Sequence, residues 1–172
     1  MTAPARQVLR GHGFTVEPPA GWEARIYRRT APTAPDNARN RVAAAGSTGW
    51  LGEQTLPVVH LADFPLPASR GDYGSGAVES MRSSDTFLAL LEFGQECLGT
   101  ALFDVPRPRV EPSRFSPNGL QRILPGQCGA QYFFTEKRRP MCLYVVLGSQ
   151  ADLAGRTAAV NAVLSRLGVD DR

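Results

Sequence analysis

The sequence is short of the residue types on which catalysis, metal binding and disulfide scaffolds depend. Its 172 residues include two histidines and three cysteines, none of them in a Cys-x-x-Cys spacing. The odd number predicts reduced thiols that pack as small apolar side chains, and we interpret Cys97, Cys128 and Cys142 in this way. The sequence has no Gly-x-Ser-x-Gly motif and no phosphate-binding loop. We therefore predict no catalytic residue, no metal site and no bound cofactor, and we expect a protein that is not an enzyme.

Lysine is almost absent, which affects how the charge is interpreted. The 19 basic residues are arginines except for Lys137, and with 16 acidic residues they give a net charge of +3. An arginine bias combined with many alanines, glycines and prolines is typical of a GC-rich genome. The basic residues form no tract of the kind that binds nucleic acid, so a nucleic-acid partner is not expected.

Long apolar runs are also missing. No stretch approaches the roughly 20 residues that a membrane-spanning helix needs, and Met1–Phe14 has no apolar segment of the secretory type. We expect a cytoplasmic protein. The apolar fraction of 42% and the charged fraction of 20% are ordinary for a globular chain. They predict a single domain over residues 1–172, with residues 1–12 as a flexible tail.

What the chain does have is a clear strand–turn–strand–helix pattern near its end. Ala130–Glu136 and Met141–Leu147 are aromatic and β-branched runs. The second is apolar at both odd and even positions, which predicts a central strand covered on both faces, whereas the first is mixed and lies nearer an edge. An amphipathic helix over about residues 150–167 follows, with Ser149 as its N-cap and Gly168 after its end.

The remaining elements are shorter. Long connections over Thr30–Gly52 and Gly94–Leu124 separate them, because proline and glycine interrupt regular structure there. The fold class is α+β, with a largely antiparallel sheet of five to six strands and helical cover. The other expected elements are strands at Gly13–Glu17, Trp22–Arg29, Thr55–Ala62 and Thr86–Phe93, a candidate short strand at Leu102–Val105, and a candidate short helix at Tyr73–Met81.

The opening pattern Phe14-x-Val16-x-x-Pro19-x-Gly21-Trp22 resembles the start of PsbP-like domains, which are α/β/α sandwiches. The closing strand and helix over Tyr144–Leu167 are compatible with the same superfamily. The two regions cover less than half of the chain. The resemblance implies the sandwich fold and, since members mostly bind other proteins, a binding role. It implies no catalytic residue.

The most exposed feature predicted from the sequence is the basic turn Lys137-Arg138-Arg139. With Arg28 and Arg29 it is a candidate surface for an acidic protein, a phosphate or, as a third possibility, nucleic acid. The alternative is ordinary hairpin polarity that protects a sheet edge. Trp50, in a loop flanked by glycines, is a second candidate for contact with a partner.

Two further residues carry expectations of their own. His60 lies on a strand, and we interpret it as a structural histidine with satisfied hydrogen bonds. Glu92 interrupts an apolar strand, and we expect it to be exposed near the strand end. Burial of Glu92 beside Arg82 or Arg122 would instead indicate a ligand-binding or catalytic role.

Two functional hypotheses follow. The first is a non-enzymatic protein-interaction or adaptor module that binds a partner protein through its loops, with Trp50 or Arg138–Arg139 exposed. The second is a small-molecule-binding protein or enzyme with a pocket between the sheet and the long loops. That pocket would gather polar groups such as His60, Glu92 or Tyr144.

Overall fold

The chain builds a five-stranded antiparallel sheet, a three-stranded antiparallel sheet and one helix, so the α+β prediction is confirmed. The computed structural model describes residues 7–29 and 55–171, and Trp50 lies outside them. The described helix is not long and apolar enough to cross a membrane. The elements are β1 (Leu9–Gly11), β2 (Phe14–Val16), β3 (Glu23–Arg28), β4 (Pro57–Ala62), β5 (Thr86–Glu92), β6 (Cys128–Glu136), β7 (Arg139–Leu147), α1 (Leu153–Leu164) and β8 (Leu167–Val169).

The five-stranded sheet has the order β3-β4-β5-β7-β6, so β7 is an inner strand and β6 lies at an edge. All nine residues of β7 are buried, whereas β6 alternates between buried and half-buried positions beyond Ala130. The predictions that the second strand is covered on both faces and the first lies nearer an edge are therefore confirmed. Strand β7 is an inner strand because its side chains are apolar on both faces, and such a strand must be covered on both.

Two apolar cores lie on the two faces of this sheet. Helix α1 and the small sheet cover one face, which we call the helix face. The connections after β4 and before β6 cover the other, which we call the loop face. The helix-face core includes Phe14, Leu61, Leu88, Leu143, Val145, Val160 and Leu164. The loop-face core includes Val58, Leu66, Val78, Phe87, Leu91, Tyr144 and Val146.

The small sheet has the order β1-β2-β8 and brings the two ends of the described chain together. The flexible-tail prediction is wrong for Leu9–Gly11, which pairs antiparallel with β2 while Leu9 packs against the core. Gly168 does not follow the helix in a left-handed conformation but lies in β8 opposite Thr15. The helix ends early because Leu167 and Val169 are buried as a strand.

The start of α1 also differs from the prediction. Asp152, not Ser149, is the N-cap, and its carboxylate accepts a hydrogen bond of 3.1 Å from the Gly155 N–H. Asp152 has a φ of 50°, a left-handed conformation that aspartate tolerates better than most residues. The Ser149 carbonyl instead accepts from the Cys128 thiol at 3.7 Å.

The two candidate short elements do not form as predicted. The helix expected over Tyr73–Met81 is reduced to a 3-10 turn at Val78–Ser80. A side chain at Gly74, where φ is 84°, would lie 2.4 Å from the Phe87 ring, so the chain crosses the sheet too closely for a helix to stand there. Leu102–Val105 is not a strand, although the Val105 carbonyl bonds to β6.

Candidate functional site

The outer edge of β6 is the feature of the sheet that most resembles a binding site. Strands β6 and β7 are joined by the two-residue turn Lys137-Arg138, with φ values of 51° and 60° that suit the twist of a tight hairpin. Glu136 and Arg139 face each other across this turn. In such a hairpin, backbone groups point toward the partner strand at every second residue and away from it at the others. The outward-pointing residues of β6 are Gly129, Gln131, Phe133 and Thr135.

The two ends of this edge are hydrogen bonded to the chain that precedes β6. The Thr135 N–H donates to the Val105 carbonyl at 2.9 Å. Gly129 and Ser116 exchange N–H···O bonds of 3.0 and 3.2 Å. Between these ends, the outward N–H and C=O groups of Gln131 and Phe133 have no partner among the described residues. Within residues 7–29 and 55–171, the middle of the edge is thus open.

It is open because the connection between residues 105 and 116 bows away from the sheet edge toward α1. The Asn161 carboxamide accepts from the Val110 N–H at 3.0 Å and donates to the Val110 carbonyl at 2.9 Å. The Glu111 N–H donates to the Tyr132 hydroxyl at 3.2 Å. Arg107 donates to the carbonyl groups of Leu164 and Leu167 at the end of the helix. These bonds hold the connection against the helix face and leave a gap beside β6.

The gap is a groove of about 580 Å³, larger than the pockets described below. One of its walls is apolar and lies on the loop face. Leu102 and Val105 are 57% and 46% exposed there, and the Phe133 ring packs 5.5 Å from Phe103. The lining residues are Leu102, Val105, Pro106, Arg107, Pro108, Arg109, Glu111, Arg114, Gln131, Tyr132 and Phe133.

The opposite wall is basic and lies on the helix face. The Arg114 guanidinium stands 5.6 Å from the centre of the Tyr132 ring, and both Arg109 and Arg114 are exposed. Arg107 forms an ion pair with Glu136. Among the described residues that line the groove, Glu111 is the only acidic one. The wall therefore carries a net positive charge.

The basic residues predicted as a binding surface lie outside this groove. Lys137 and Arg138 are exposed, but Arg139 is only 4% exposed, so the prediction of an exposed Arg139 is wrong. Its Nε donates to Glu92 at 3.1 Å, and its terminal nitrogens donate to the carbonyl groups of His12 and Gly13 at 2.8 and 2.7 Å. Arg139 lies on the same face of β7 as Met141, which points into the helix-face core, so the alternation of side chains along the strand indicates that Arg139 points inward.

Glu92 is likewise buried, with 1% of its surface exposed, so the expectation of an exposed strand end is wrong. Its partner is Arg139 and not Arg82 or Arg122. Arg29 donates to the Glu92 carbonyl at 2.8 Å. Glu92 and Arg139 line a polar pocket of about 210 Å³ together with the exposed Arg28, whose Nε donates to the His12 ring at 3.2 Å.

The structure thus brings Arg28, Arg29 and Arg139 together around Glu92. Lys137 lies 3.6 Å from Asp171 in an exposed ion pair. Each arginine at Glu92 already donates to a carboxylate, a carbonyl or a ring nitrogen. The cluster ties β3, β5 and β7 to the small sheet and offers less free positive charge than the groove does.

His60 is a structural histidine, as predicted. It is fully buried, its Nδ1 accepts from the Arg70 Nε at 2.8 Å, and its Nε2 donates to the Asp72 carbonyl at 2.8 Å. Burial lowers the pKa of His60 to about 4, although the hydrogen bond to the Asp72 carbonyl offsets part of this shift; the nearby Arg70 adds a smaller lowering. The Tyr27 hydroxyl donates to the Asp72 carboxylate at 3.1 Å, and the burial of that hydroxyl raises its pKa. The network holds the connection after β4 against the sheet.

A third concave site lies between the two connections that cover the loop face. It has a volume of about 430 Å³ and is lined by Tyr73, Tyr144 and Gln127 among others. The Gln127 Nε2 donates to the Val78 carbonyl at 2.7 Å, which fixes the carboxamide, while its Oε1 is buried with no partner. The Tyr144 hydroxyl accepts from the Gln121 N–H at 2.9 Å.

The polar residues named for a small-molecule pocket are therefore divided. Tyr144 lines this pocket, Glu92 lines the one at Arg139, and His60 lines neither. The three cysteines are free thiols, with Cys128 and Cys142 buried, and burial raises the pKa of Cys142 to about 12. Residues 7–29 and 55–171 contain no group of three or more histidine, cysteine or acidic side chains placed to hold a metal ion.

Comparisons with known protein families, with curated proteins and with solved structures found no match to this chain.

Proposed function

We propose that the protein is a non-enzymatic interaction module that binds an extended segment of a partner protein as an added strand at the edge of β6. The observation that carries this proposal is the outward backbone of Gln131 and Phe133, which has no partner in the part of the chain that the structure describes and lies beside an open groove. A sheet edge with free N–H and C=O groups is a template for another strand, and several peptide-binding domains use it in this way.

The length of the open edge selects the kind of partner. Both ends of the edge, at Gly129 and Thr135, are already bonded, so the open part covers residues 130–134 and is about 16 Å long at a rise of about 3.3 Å per residue. It accommodates about five residues of an extended chain. Bonds to Ser116 and Val105 close both ends. A full-length edge strand from another folded sheet does not fit between them, whereas a single extended segment does.

The energetics agree with a modest but specific interaction. The N–H and C=O groups of Gln131 and Phe133 offer up to four hydrogen bonds, each with a net value of about 1 kcal/mol. The exposed surfaces of Leu102 and Val105 add apolar area that a bound side chain removes from water. The resemblance to PsbP-like domains, whose members mostly bind proteins, also favours this role.

A proline substitution tests the proposal without disturbing the fold. Gln131→Pro removes an N–H that points away from β7, so the β6–β7 hydrogen bonds survive, but the ring blocks an added strand. Gln131→Ala is the matched control. Octapeptides that bind the natural protein are first selected from a random displayed library. These peptides are expected to bind the Gln131→Ala variant and not the Gln131→Pro variant. An empty selection, or equal binding to both folded variants, would overturn the proposal.

A second candidate function is the binding of a small aromatic amide in the 430 Å³ pocket. It is favoured by the Gln127 Oε1, which has no partner, and by the Tyr144 hydroxyl, which accepts from Gln121 and keeps its own hydrogen for donation. Asp72 and Glu79 line the same pocket, which disfavours an anionic ligand.

Benzamide and acetophenone are suitable probes because they differ in one group, NH₂ or CH₃. Benzamide is expected to shift the NMR signals of residues around Tyr144 and to bind about tenfold more tightly than acetophenone, since only benzamide donates to Gln127. Tyr144→Phe is expected to weaken benzamide binding. Equal affinities for the two probes, or no shift with either, would remove this candidate.

A further inference from the structure

We infer that the segment bound at β6 alternates apolar and acidic side chains. This inference rests on the proposed function, since it needs the segment to be an extended strand. It concerns the chemistry of that segment and follows from the two different walls of the groove. One clear consequence is that the partner is recognised by side chains as well as by its backbone.

The alternation follows from strand geometry. Side chains of neighbouring strands that stand opposite each other lie on the same face of the sheet, and successive side chains lie on opposite faces. Phe133 lies on the loop face, where its ring packs against Phe93 and Phe103. Tyr132 belongs to the helix-face core. A residue added opposite Phe133 therefore projects to the loop face, and its neighbours project to the helix face.

On the loop face, the added side chain meets the apolar wall. Leu102 and Val105 are exposed large apolar residues. Pro106 lies beside them in the groove lining. A valine, isoleucine or leucine at this position of the partner removes their surface from water, whereas a charged side chain would lose hydration without a partner.

On the helix face, the added side chain meets Arg109 and Arg114. Both are exposed and neither forms an ion pair among the described residues. The Tyr132 ring holds the Arg114 guanidinium in place, so less side-chain entropy is lost when a carboxylate binds. Arg107 differs, because it already binds Glu136 and the carbonyl groups of Leu164 and Leu167. A carboxylate of the partner is thus attracted by two arginines, Arg109 and Arg114, and repelled by one carboxylate, Glu111.

Three peptides that differ only at the alternating positions test the inference. Their cores are Val-Glu-Val-Glu-Val, Val-Ser-Val-Ser-Val and Val-Lys-Val-Lys-Val, and binding is measured by isothermal calorimetry at low salt. The glutamate peptide is expected to bind about tenfold more tightly than the serine peptide, and the lysine peptide to bind most weakly. Salt at about 1 M shortens the Debye length to about 3 Å and is expected to bring the three affinities together.

Matched variants locate the effect. Arg109→Gln together with Arg114→Gln is expected to remove the preference for glutamate over serine while leaving the serine peptide unaffected. Arg122→Gln changes an exposed arginine that lines the 430 Å³ pocket and not the groove, so it is expected to leave the preference intact. The same preference in all variants would overturn the inference.

A glutamate peptide with an N-methyl group on its central residue separates this inference from the proposed function. Methylation removes a backbone donor and blocks pairing without changing charge. If N-methylation abolishes binding and glutamate, serine and lysine peptides bind equally, strand addition stands and the alternating acidic pattern is wrong. If methylation has no effect on a peptide that binds, strand addition itself is wrong. Library-selected peptides that bind at β6 without acidic residues also count against the inference.

Discussion

Arg139 and Glu92 form the most deeply buried ion pair among the described residues, with side chains that are 5% and 2% exposed. Arg139 also caps the backbone between β1 and β2, where it bonds to His12 and Gly13, and its guanidinium lies 4.2 Å over the Phe14 ring. One side chain, at the start of the inner strand β7, therefore joins the main sheet to the small sheet. The ion pair therefore has a structural role.

Removing one member of this pair leaves the other charge buried and unpaired. We expect Glu92→Gln to lower the free energy of unfolding by about 3 to 5 kcal/mol. Arg139→Met is expected to lower the free energy of unfolding further, because the carbonyl groups of His12 and Gly13 lose their donors as well. The double variant should lose less unfolding free energy than the two single variants lose together. Urea unfolding of the three proteins measures this, and strictly additive losses would contradict the account.

His60 makes stability depend on pH. Its pKa of about 4 in the folded protein lies below the ordinary value of 6.5, so between these values the unfolded chain binds the proton more tightly. The contribution is fully present above pH 6.5 and is lost as the pH falls toward 4. The loss is expected to reach about 3 kcal/mol.

The measurement compares urea unfolding of the natural protein and His60→Gln at several pH values from neutral to about pH 4. Burial raises the pKa of Asp63, which contributes the opposite slope in both proteins and cancels in their difference. The natural protein is expected to lose more stability than His60→Gln as the pH falls. Parallel curves for the two proteins would show that His60 does not titrate as described.

Among the elements, β6 and the connection before it decide what the surface can bind. The sequence predicts β6 and β7 well because aromatic and β-branched runs persist over enough residues to define strands and to show which is covered on both faces. It does not predict the groove. Gln131 and Phe133 have the same local sequence whether or not another segment pairs with them, and that segment lies in a proline-rich stretch without periodicity.

The same limit explains the errors at Arg139 and Ser149. Three consecutive basic residues suggest an exposed turn, but β7 begins inside that triplet and its alternation sends Arg139 inward. Ser149 and Asp152 are both good N-cap residues, and only the path from β7 to α1 selects Asp152. In both cases the local sequence is compatible with either arrangement, and tertiary packing determines which one forms.

Asn161 links α1 to the connection and keeps the groove open. Asn161→Leu removes both hydrogen bonds to Val110, whose backbone would remain buried, and we expect a loss of about 1 to 3 kcal/mol in unfolding free energy. Asn161→Asp keeps the acceptor and loses the donor, so an intermediate loss is expected. Peptide affinity, measured by calorimetry, should fall in the same order as the free energy of unfolding, measured with urea. Full peptide affinity in Asn161→Leu would show that the connection does not need this anchor.

At the scale of the whole molecule, the two ends of the described chain depend on each other. Strand β2 lies between β1 and β8, so the first and last strands complete one sheet against the common core. Leu167 and Val169 are 5% and 8% exposed. Burial of such side chains contributes about 1.5 to 3 kcal/mol each, a large part of the stability of an ordinary domain.

A pair of truncations tests this dependence. A chain that ends at Ser165 loses β8 and is expected to be less stable by about 3 to 6 kcal/mol. A chain that ends at Val169 keeps β8 and loses the Asp170 bond to Gly13 and the exposed pair of Lys137 with Asp171, which together are worth about 1 kcal/mol. Thermal and urea unfolding distinguish the two. Equal stability of the two truncated chains would contradict a structural role for β8.

Amide hydrogen exchange along β6 tests the central claim most directly, because it reports each backbone N–H separately. In the free protein, the amides of Gln131 and Phe133 are expected to exchange quickly, and those of Tyr132 and Phe134, which face β7, slowly. Addition of a binding peptide should protect Gln131 and Phe133 and leave the other two unchanged. Slow exchange at Gln131 and Phe133 in the free protein, or no change when a peptide binds, would contradict strand addition at this edge.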